Sequence, residues 1–383
     1  MYLRFLLAVL AASLFAAPAS PQTSLDRSAA THTAFARAQH LKRGINVSHW
    51  FSQNAPDYSA QHTDTETTPG DIATIARLGF DNVRLSIDAT PLEQAFRSAP
   101  GPGNDFLARL DKAVDEILAA GMAVQIDLHP EEPYKQSIRG SNDAVDHLVI
   151  LWRKLAEHYA GRDNEKVFFE IMNEPEVSDP YRWAGIQARV AAAIREAAPH
   201  NTLIATGPNY SDIVDLLTQH PLPDANVIYN FHFYDPHEFT HQGASWGAPY
   251  WIYEHQIPYP ATEDSMAAKI AQIPDPADRY HLENYWLDHW DAHRIRLLID
   301  EAAAWGMQNN VPLICNEFGA FRPVAEPASR LAWIHDVRTA LEADSIGWAM
   351  WDYHNGFGVA VKDKDGKSVV DPDTVTALGL KGK

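Results

Sequence analysis

Cysteine is almost absent from this chain: Cys315 is the only one in 383 residues. A lone thiol cannot form a disulfide within the chain, so cohesion has to come from a large apolar core. Cys315 lies inside an apolar run with no histidine beside it, which reads as a buried structural thiol rather than a nucleophile. Basic residues are also scarce, 31 Lys and Arg against 50 Asp and Glu. The formal charge of -19 sets the chain against polyanions, so neither nucleic acid nor an acidic membrane is expected as a partner. Beyond the amino-terminal twenty or so residues, no run is long and apolar enough to span a bilayer. Solenoid repeats and low-complexity linkers are missing, which argues against an array or a tethered second module.

What the chain does have is apolar and aromatic bulk: 46% of its residues are apolar, with 11 Trp and 14 Tyr, enough for one sizeable core. Residues 1–19 place Arg4 before the apolar stretch Phe5 to Ala12 and the small residues Ala17-Pro18-Ala19. This is the pattern of a secretory signal peptide cut after Ala19, and it predicts a periplasmic or secreted protein with no membrane attachment after cleavage. Residues 20–39 are polar and are expected to form a flexible leader. A single domain over 40–383, working as a monomer, should follow.

Within that domain, apolar runs suited to strands begin near Leu41, Asn82, Met122, Val167, Thr202, Asn226, Val311 and Ser345. Helix-period stretches separate most of them: Pro69 to Leu78, Phe106 to Ala120, Ala144 to Ala160, Arg182 to Ala198, Ser211 to Thr218, His289 to Gln308 and Pro327 to Ala343. Eight strands alternating with helices predict an α/β fold, a (β/α)8 TIM barrel. One segment breaks the rhythm. Asp235 to Tyr285, rich in Pro, Trp, Tyr and His, reads as a long loop inserted after the sixth strand, on the face where barrel strands end.

Two stretches far apart each end an apolar run on a carboxylate: Val167-Phe168-Phe169-Glu170-Ile171-Met172-Asn173-Glu174-Pro175 and Val311-Pro312-Leu313-Ile314-Cys315-Asn316-Glu317-Phe318-Gly319. Each reads as a buried strand delivering an acid to a loop. Glycoside hydrolysis needs two such deliveries, one carboxyl to protonate the leaving oxygen and another to attack or steady the sugar cation. Other strand ends supply Arg84, His129, His232 with Tyr234, and Trp351. Period-two alternation predicts that His232 and Tyr234 share a face, as do Cys315 and Glu317. It also sets Gly347 and Ala349 beneath Trp351, which favours Trp351 over Trp348 as the site tryptophan. Trp50, Phe51, Trp246, Tyr250 and Trp251 fall in expected loops and are candidates to line sugar subsites.

In these residues the chain resembles glycoside hydrolase family 5, the cellulase family. The match runs from Arg43-Gly44-Ile45-Asn46 to Trp351, and Ile171-Met172-Asn173-Glu174-Pro175 is its most specific element. The resemblance implies a retaining double displacement with Glu174 as general acid/base and Glu317 as nucleophile. It also implies that Asn173 binds the sugar 2-hydroxyl and that Arg84 and Tyr234 hold and aim Glu317. His129 and His232 would frame the cleaved sugar, and Trp351 would form its floor. The substrate expected from the family is a β-1,4-glucan cut internally, with β-mannan, xyloglucan or exo-cleaved glucosides as alternatives. No metal or organic cofactor is expected.

Physical chemistry makes parallel demands. An arginine and a phenol donating to one carboxylate keep it charged and nucleophilic near neutrality. The acid needs the opposite: apolar surroundings and a negative partner should raise the Glu174 pKa so that it starts protonated. A metal-dependent hydrolase on the same barrel would instead gather His129, His232, His237 and Asp235 around a divalent ion. That reading leaves both glutamates without a purpose, and neither a His-x-His pair at the end of the first strand nor a His-Glu-x-x-His helix is expected. A non-catalytic carbohydrate-binding protein would be expected to have lost one of the two carboxylates, and both are present.

Overall fold

In the computed structural model, which describes residues 24–97 and 105–381, eight parallel strands close into a barrel in chain order. They are β1 (Arg43–Phe51), β2 (Asn82–Ile87), β3 (Ala123–Leu128), β4 (Val167–Glu170), β5 (Thr202–Ala205), β6 (Val227–Phe233), β7 (Leu313–Phe318) and β8 (Gly347–Met350). Helices lie between successive strands. The one over Pro69–Leu78 shows how the sequence marks its own boundaries. Thr68 and Asp71 cap its first turn reciprocally, Pro69 fills a position that needs no N–H, and Gly79 ends it at φ 100°. β2 and β3 are buried along their whole length, as strands walled by helices outside and a packed lumen inside must be.

The lumen changes character from floor to mouth. Leu41, Ala123, Phe168, Ile204, Ile228 and Ile314 form an apolar floor layer separate from the outer core. Two residues further along their strands, the inward positions turn polar: Gln125, Glu170, Asn230 and Asn316 join Asn46 and Arg84, all fully buried. Space is tight at this level. A Cβ on Gly44 would sit 2.4 Å from Asn82 Oδ1 and 2.8 Å from the Ala349 methyl, so β1 and β8 need small residues here, as expected beneath Trp351.

Several expectations are corrected. The proposed signal peptide lies outside the described residues, but most of the supposed leader does not. Residues Ser24–Ala38 form a helix, α1, that buries Ala34 and packs Ala38 against the floor layer. Arg37 anchors it, donating from Nε and Nη2 to Glu165 (3.1 and 2.7 Å), and from Nη1 to Thr202 Oγ1 (3.1 Å) and to the His200 carbonyl. The polar composition that suggested disorder belongs largely to the outer face of this helix. The segment after β6 is not a bare loop either. It holds the helices His237–Thr240, Glu263–Ile270 and Pro276–Leu287 and a 3-10 turn at Trp251–Tyr253. A small antiparallel hairpin pairing Ala360–Lys362 with Ser368–Val370 follows β8 and was not expected. Among the described residues, no helix is long and apolar enough to cross a membrane.

The alternation along β7 is corrected too. Register against β6 slips between the Phe231–Cys315 and His232–Glu317 pairs, the mark of a bulge. Cys315 packs in the outer core, while Asn316 and Glu317 both turn inward. Cys315 and Glu317 therefore do not share a face. The thiol is fully buried, as expected of a structural cysteine.

Candidate active site

Above the polar layer, the strand ends open into a cleft of about 1260 Å³. Its floor is organised by one buried guanidinium. Arg84 donates from Nε and Nη2 to the two oxygens of Glu170, both at 2.7 Å. Nη2 also donates to Asn173 Oδ1 at 2.9 Å and lies 3.1 Å from Asp127. Nη1 donates to Asn46 Oδ1 at 3.0 Å and to Glu317 Oε1. The structural ion pair with Glu170 and the contact with Glu317 thus coexist on one side chain. Glu170 takes two further donors, Asn230 Nδ2 at 3.0 Å and Asn316 Nδ2 at 2.8 Å.

Glu317 receives Arg84 on one oxygen and the Tyr234 hydroxyl on the other, at 2.9 Å. Burial first, then the Glu317 charge, holds the Tyr234 pKa well above the usual phenol range, so the hydroxyl stays a donor. His129 is neutral: burial and the Arg84 charge bring it to about 3. Its Nδ1–H donates to Asp127 at 2.9 Å and its Nε2 accepts from Asn173 Nδ2 at 3.2 Å. With Oδ1 on Arg84 and Nδ2 on His129, the Asn173 amide has a fixed orientation.

Glu174 follows β4 in the left-handed region at φ 35°. The next residues are held by a hydrogen bond from the Glu176 N–H to the Asn209 carbonyl, 2.8 Å. Glu174 faces His232, whose Nδ1 lies 2.9 Å from Glu174 Oε1 and 3.6 Å from Glu317 Oε2. This changes the expected proton bookkeeping. Burial pushes the Glu174 pKa up, but the hydrogen bond and charge of His232, aided by Lys135, bring it down to about 2. Burial likewise opposes the charged imidazole, but Glu317 and Glu174 together raise His232 above 6.5. Both directions favour the shared proton on His232 over Glu174.

The aromatic candidates divide. Trp351 lines the cleft and stacks on His129, with centroids 5.8 Å apart and planes 18° from parallel, whereas Trp348 is fully buried in the outer core. Trp246 lines the cleft and is 49% exposed. Tyr250 and Trp251 also line it, but Tyr250 stacks on His281 at 4.2 Å and Trp251 on His241 at 4.7 Å. Trp50 and Phe51 do not line the cleft, because β1 runs on to Phe51 and makes them strand residues. The Trp50 indole is buried and donates to the Thr63 carbonyl at 2.7 Å, and Phe51 packs edge-on against Phe106.

The metal alternative fares differently from its expectation. The only group of three potential ligands converging within 4.8 Å among the described residues is Glu174, His232 and Glu317; His129, His237 and Asp235 do not join it. The sequence does contain a His-Glu-x-x-His spacing, His237-Glu238-Phe239-Thr240-His241, a pattern that on a longer helix would suggest zinc. Here it spans a single turn, and the two imidazoles stack face to face, 5.1 Å apart and 24° from parallel. Stacked rings set their nitrogens side by side instead of aiming them at a common point.

Asn46, Asp127, Glu170, Asn230 and Asn316 are site residues that strand-end reading passes over, because they lie one layer down. Period-two counting back from the mouth would have reached Asp127 from His129 and Asn230 from His232. Tyr210 was passed over as well. It lines the cleft from the loop after β5, and that strand ends in Ala205 without a polar flag.

A parallel barrel with paired carboxylates in its mouth is matched by known proteins. The profile described as "Cellulase (glycosyl hydrolase family 5)" matches residues 42–356. Endoglucanase C of Acetivibrio thermocellus is 30% identical over 319 residues, covering 82% of this chain and 91% of that protein. Cellodextrinase A of Ruminococcus flavefaciens is 32% identical over 221 residues, 55% of this chain and 63% of that protein. Among solved structures, Thermotoga maritima Cel5A in complex with cellobiose superimposes with a TM-score of 0.69 at 25% identity, covering 90% of this chain and 99% of that one. The chain belongs to the cellulase family, glycosyl hydrolase family 5.

Proposed function

We propose that the protein is an exported, retaining endo-β-1,4-glucanase. The observation that carries the mechanism is the spacing of its two carboxylates: Glu174 and Glu317 bring oxygens within 4.8 Å of one another across the cleft. A retaining pair needs roughly 5 Å, whereas an inverting pair needs about 6.5–9.5 Å to admit water. Glu317, aimed by Arg84 and Tyr234, attacks the anomeric carbon while a proton passes to the leaving oxygen through Glu174. The glycosyl ester is then hydrolysed by a water that Glu174 deprotonates. Asn173, fixed by Arg84 and His129, is placed for the sugar 2-hydroxyl, and Trp351 for its apolar face. The names of the full-length relatives support a β-glucan substrate, and the pattern from Met1 to Ala19 supports export.

Reducing-end release by the mature protein on carboxymethylcellulose, barley mixed-linkage glucan, xyloglucan, mannan, xylan and short cello-oligosaccharides tests this reading, with Glu317→Gln as control. The expected result is cleavage of a β-1,4-glucan polymer that the control abolishes. Activity confined to short cello-oligosaccharides would replace the endo reading with a cellodextrinase one, favoured by the Ruminococcus relative. Silence on every glycan would overturn both.

The His232–Glu174 hydrogen bond also predicts a pH profile. The pair carries one proton, and the reactive form is the tautomer with that proton on Glu174. Losing it ends acid catalysis, so the basic limb of kcat/KM should follow the pair. Since His232 is raised above 6.5, the limb should lie above that value. A basic midpoint well below 6.5 would show that the proton is not shared in this way.

A further inference from the structure

Lys135 is the one buried lysine among the described residues, its side chain 8% exposed. It lies on the helix Glu132–Gly140, which follows β3. Its ammonium donates to Glu176 Oε1 at 3.1 Å, and Arg139, one turn further on, donates to Glu176 Oε2 at 3.1 Å. Glu176 stands two residues past Glu174, and both take left-handed backbone, φ 54° and 35°. Non-glycine residues in that region cost about 1 kcal/mol or more each, so the turn has to be held. The two cations hold it from the β3 side. From the β5 side it is held by the Glu176 N–H, which donates to the Asn209 carbonyl at 2.8 Å.

The clamp leaves positive charge over. One carboxylate, Glu176, serves two cations. Arg139 has a second partner in Glu132, whereas Glu176 is the only ion-pair partner of Lys135 among the described residues. An ammonium withdrawn from water and incompletely compensated favours negative charge nearby. The other groups around the acid–base pair do not supply that field. Burial above all brings His129 and His241 down to about 3, so both are neutral, and burial raises the Tyr210 and Tyr234 phenols. Arg84 is already matched to Glu170, Asp127 and Glu317. Lys135 is the remaining cation, and its charge bears on Glu174, Asp127 and His129 alike.

Building on the glucanase reading, we propose that Lys135 is a positioning residue for the catalytic proton: pinned by Glu176 to the acid's own loop, its ammonium favours Glu174 as the carboxylate and sets the pH range over which the Glu174–His232 pair works. As the leaving oxygen takes the proton, Lys135 stabilises the carboxylate left on Glu174. Once Glu174 has deprotonated water, the same charge favours passing that proton back to His232.

The test reads two midpoints of the pair. One is the basic limb of kcat/KM on cellotetraose. The other is the titration of the His232 imidazole by NMR in the free enzyme, its signals identified by their loss in His232→Gln. Lys135→Met keeps the buried stem and deletes the charge, so the pair should hold its proton more tightly. Both midpoints should then rise by roughly 0.5–1 pH unit, less than a charge in direct contact produces. Lys135→Arg should keep both near wild type. Glu176→Gln still offers an oxygen to Lys135 but removes a negative charge, so both midpoints should fall. A merely structural clamp would lower activity without moving the midpoints in opposite senses. Midpoints that stay at the wild-type values, or that move the same way in Lys135→Met and Glu176→Gln, would overturn the proposal. Wild-type silence on cellotetraose would instead overturn the glucanase reading and this inference with it. The NMR midpoints need no substrate and keep the two failures apart.

Discussion

Glu317→Ala is expected to slow glucan hydrolysis by roughly 10⁵-fold, the scale seen when a covalent nucleophile is deleted, with the fold intact. Stability should hold because Arg84 keeps Glu170 and Asp127 as partners, and deleting Glu317 relieves the crowding of three carboxylates around one guanidinium. Stereochemistry gives the sharper readout. The vacated space lies under the anomeric carbon, so azide supplied to Glu317→Ala should attack there and yield an α-glycosyl azide from a β-linked substrate. Glu174→Ala should behave in the opposite sense. It still forms the ester when the leaving group is activated, and azide then arrives from the other face to give the β product. A β-azide from Glu317→Ala, or turnover within tenfold of wild type, would show that the two glutamates have been assigned the wrong roles.

The second large effect is expected at Arg84. Arg84→Met should cost about 3–5 kcal/mol of stability, the range for removing one partner of a buried ion pair, along with most of the activity. The loss should grow with pH. Burial raises both Asp127 and Glu170 above their ordinary values of 3.8 and 4.5, and the Arg84 charge opposes that rise. Without the guanidinium the two rise further, so the native state holds protons that the unfolded chain has released. That contribution is present below the ordinary carboxyl values and lost as pH climbs through the folded ones. Thermal melts should therefore show a larger deficit at pH 8 than at pH 5. Arg84→Lys should fall in between on stability, since an ammonium cannot fork onto both oxygens of Glu170 while reaching Glu317. A deficit independent of pH would mean that Asp127 and Glu170 do not depend on Arg84 for compensation.

Much of this site was legible because barrel strands are apolar runs with abrupt ends. Glu174 and Glu317 stand where Val167–Met172 and Leu313–Cys315 stop, and Arg84, His129, His232, Tyr234 and Trp351 fall at equivalent positions. What escaped was whatever depends on a single-residue irregularity or on which of several neighbours a side chain chooses. The β7 bulge leaves no trace in the hydropathy of Leu313-Ile314-Cys315-Asn316-Glu317, yet it turns Cys315 outward and brings Asn316 in to Glu170. His232 was legible as a cleft residue, but not as the hydrogen-bond partner of Glu174. Trp50 was misplaced because β1 continues for longer than its polar neighbours suggest. α1 was missed because its buried face consists of small residues and one arginine, too weak a pattern to separate from a polar leader.

The polar layer around Arg84 joins side chains from β1, β2, β3, β4, β6 and β7, so the groups that orient Glu317 and Asn173 also tie the strands together across the lumen. A mutation at Arg84 therefore endangers folding and chemistry at once. Tyr210 and Trp246 stand exposed on the rim, whereas the helices inserted after β6 sink Phe239, Met266 and Leu282 into the core. A substitution at an exposed rim side chain such as Trp246 can therefore reshape the cleft without disturbing the polar layer below it.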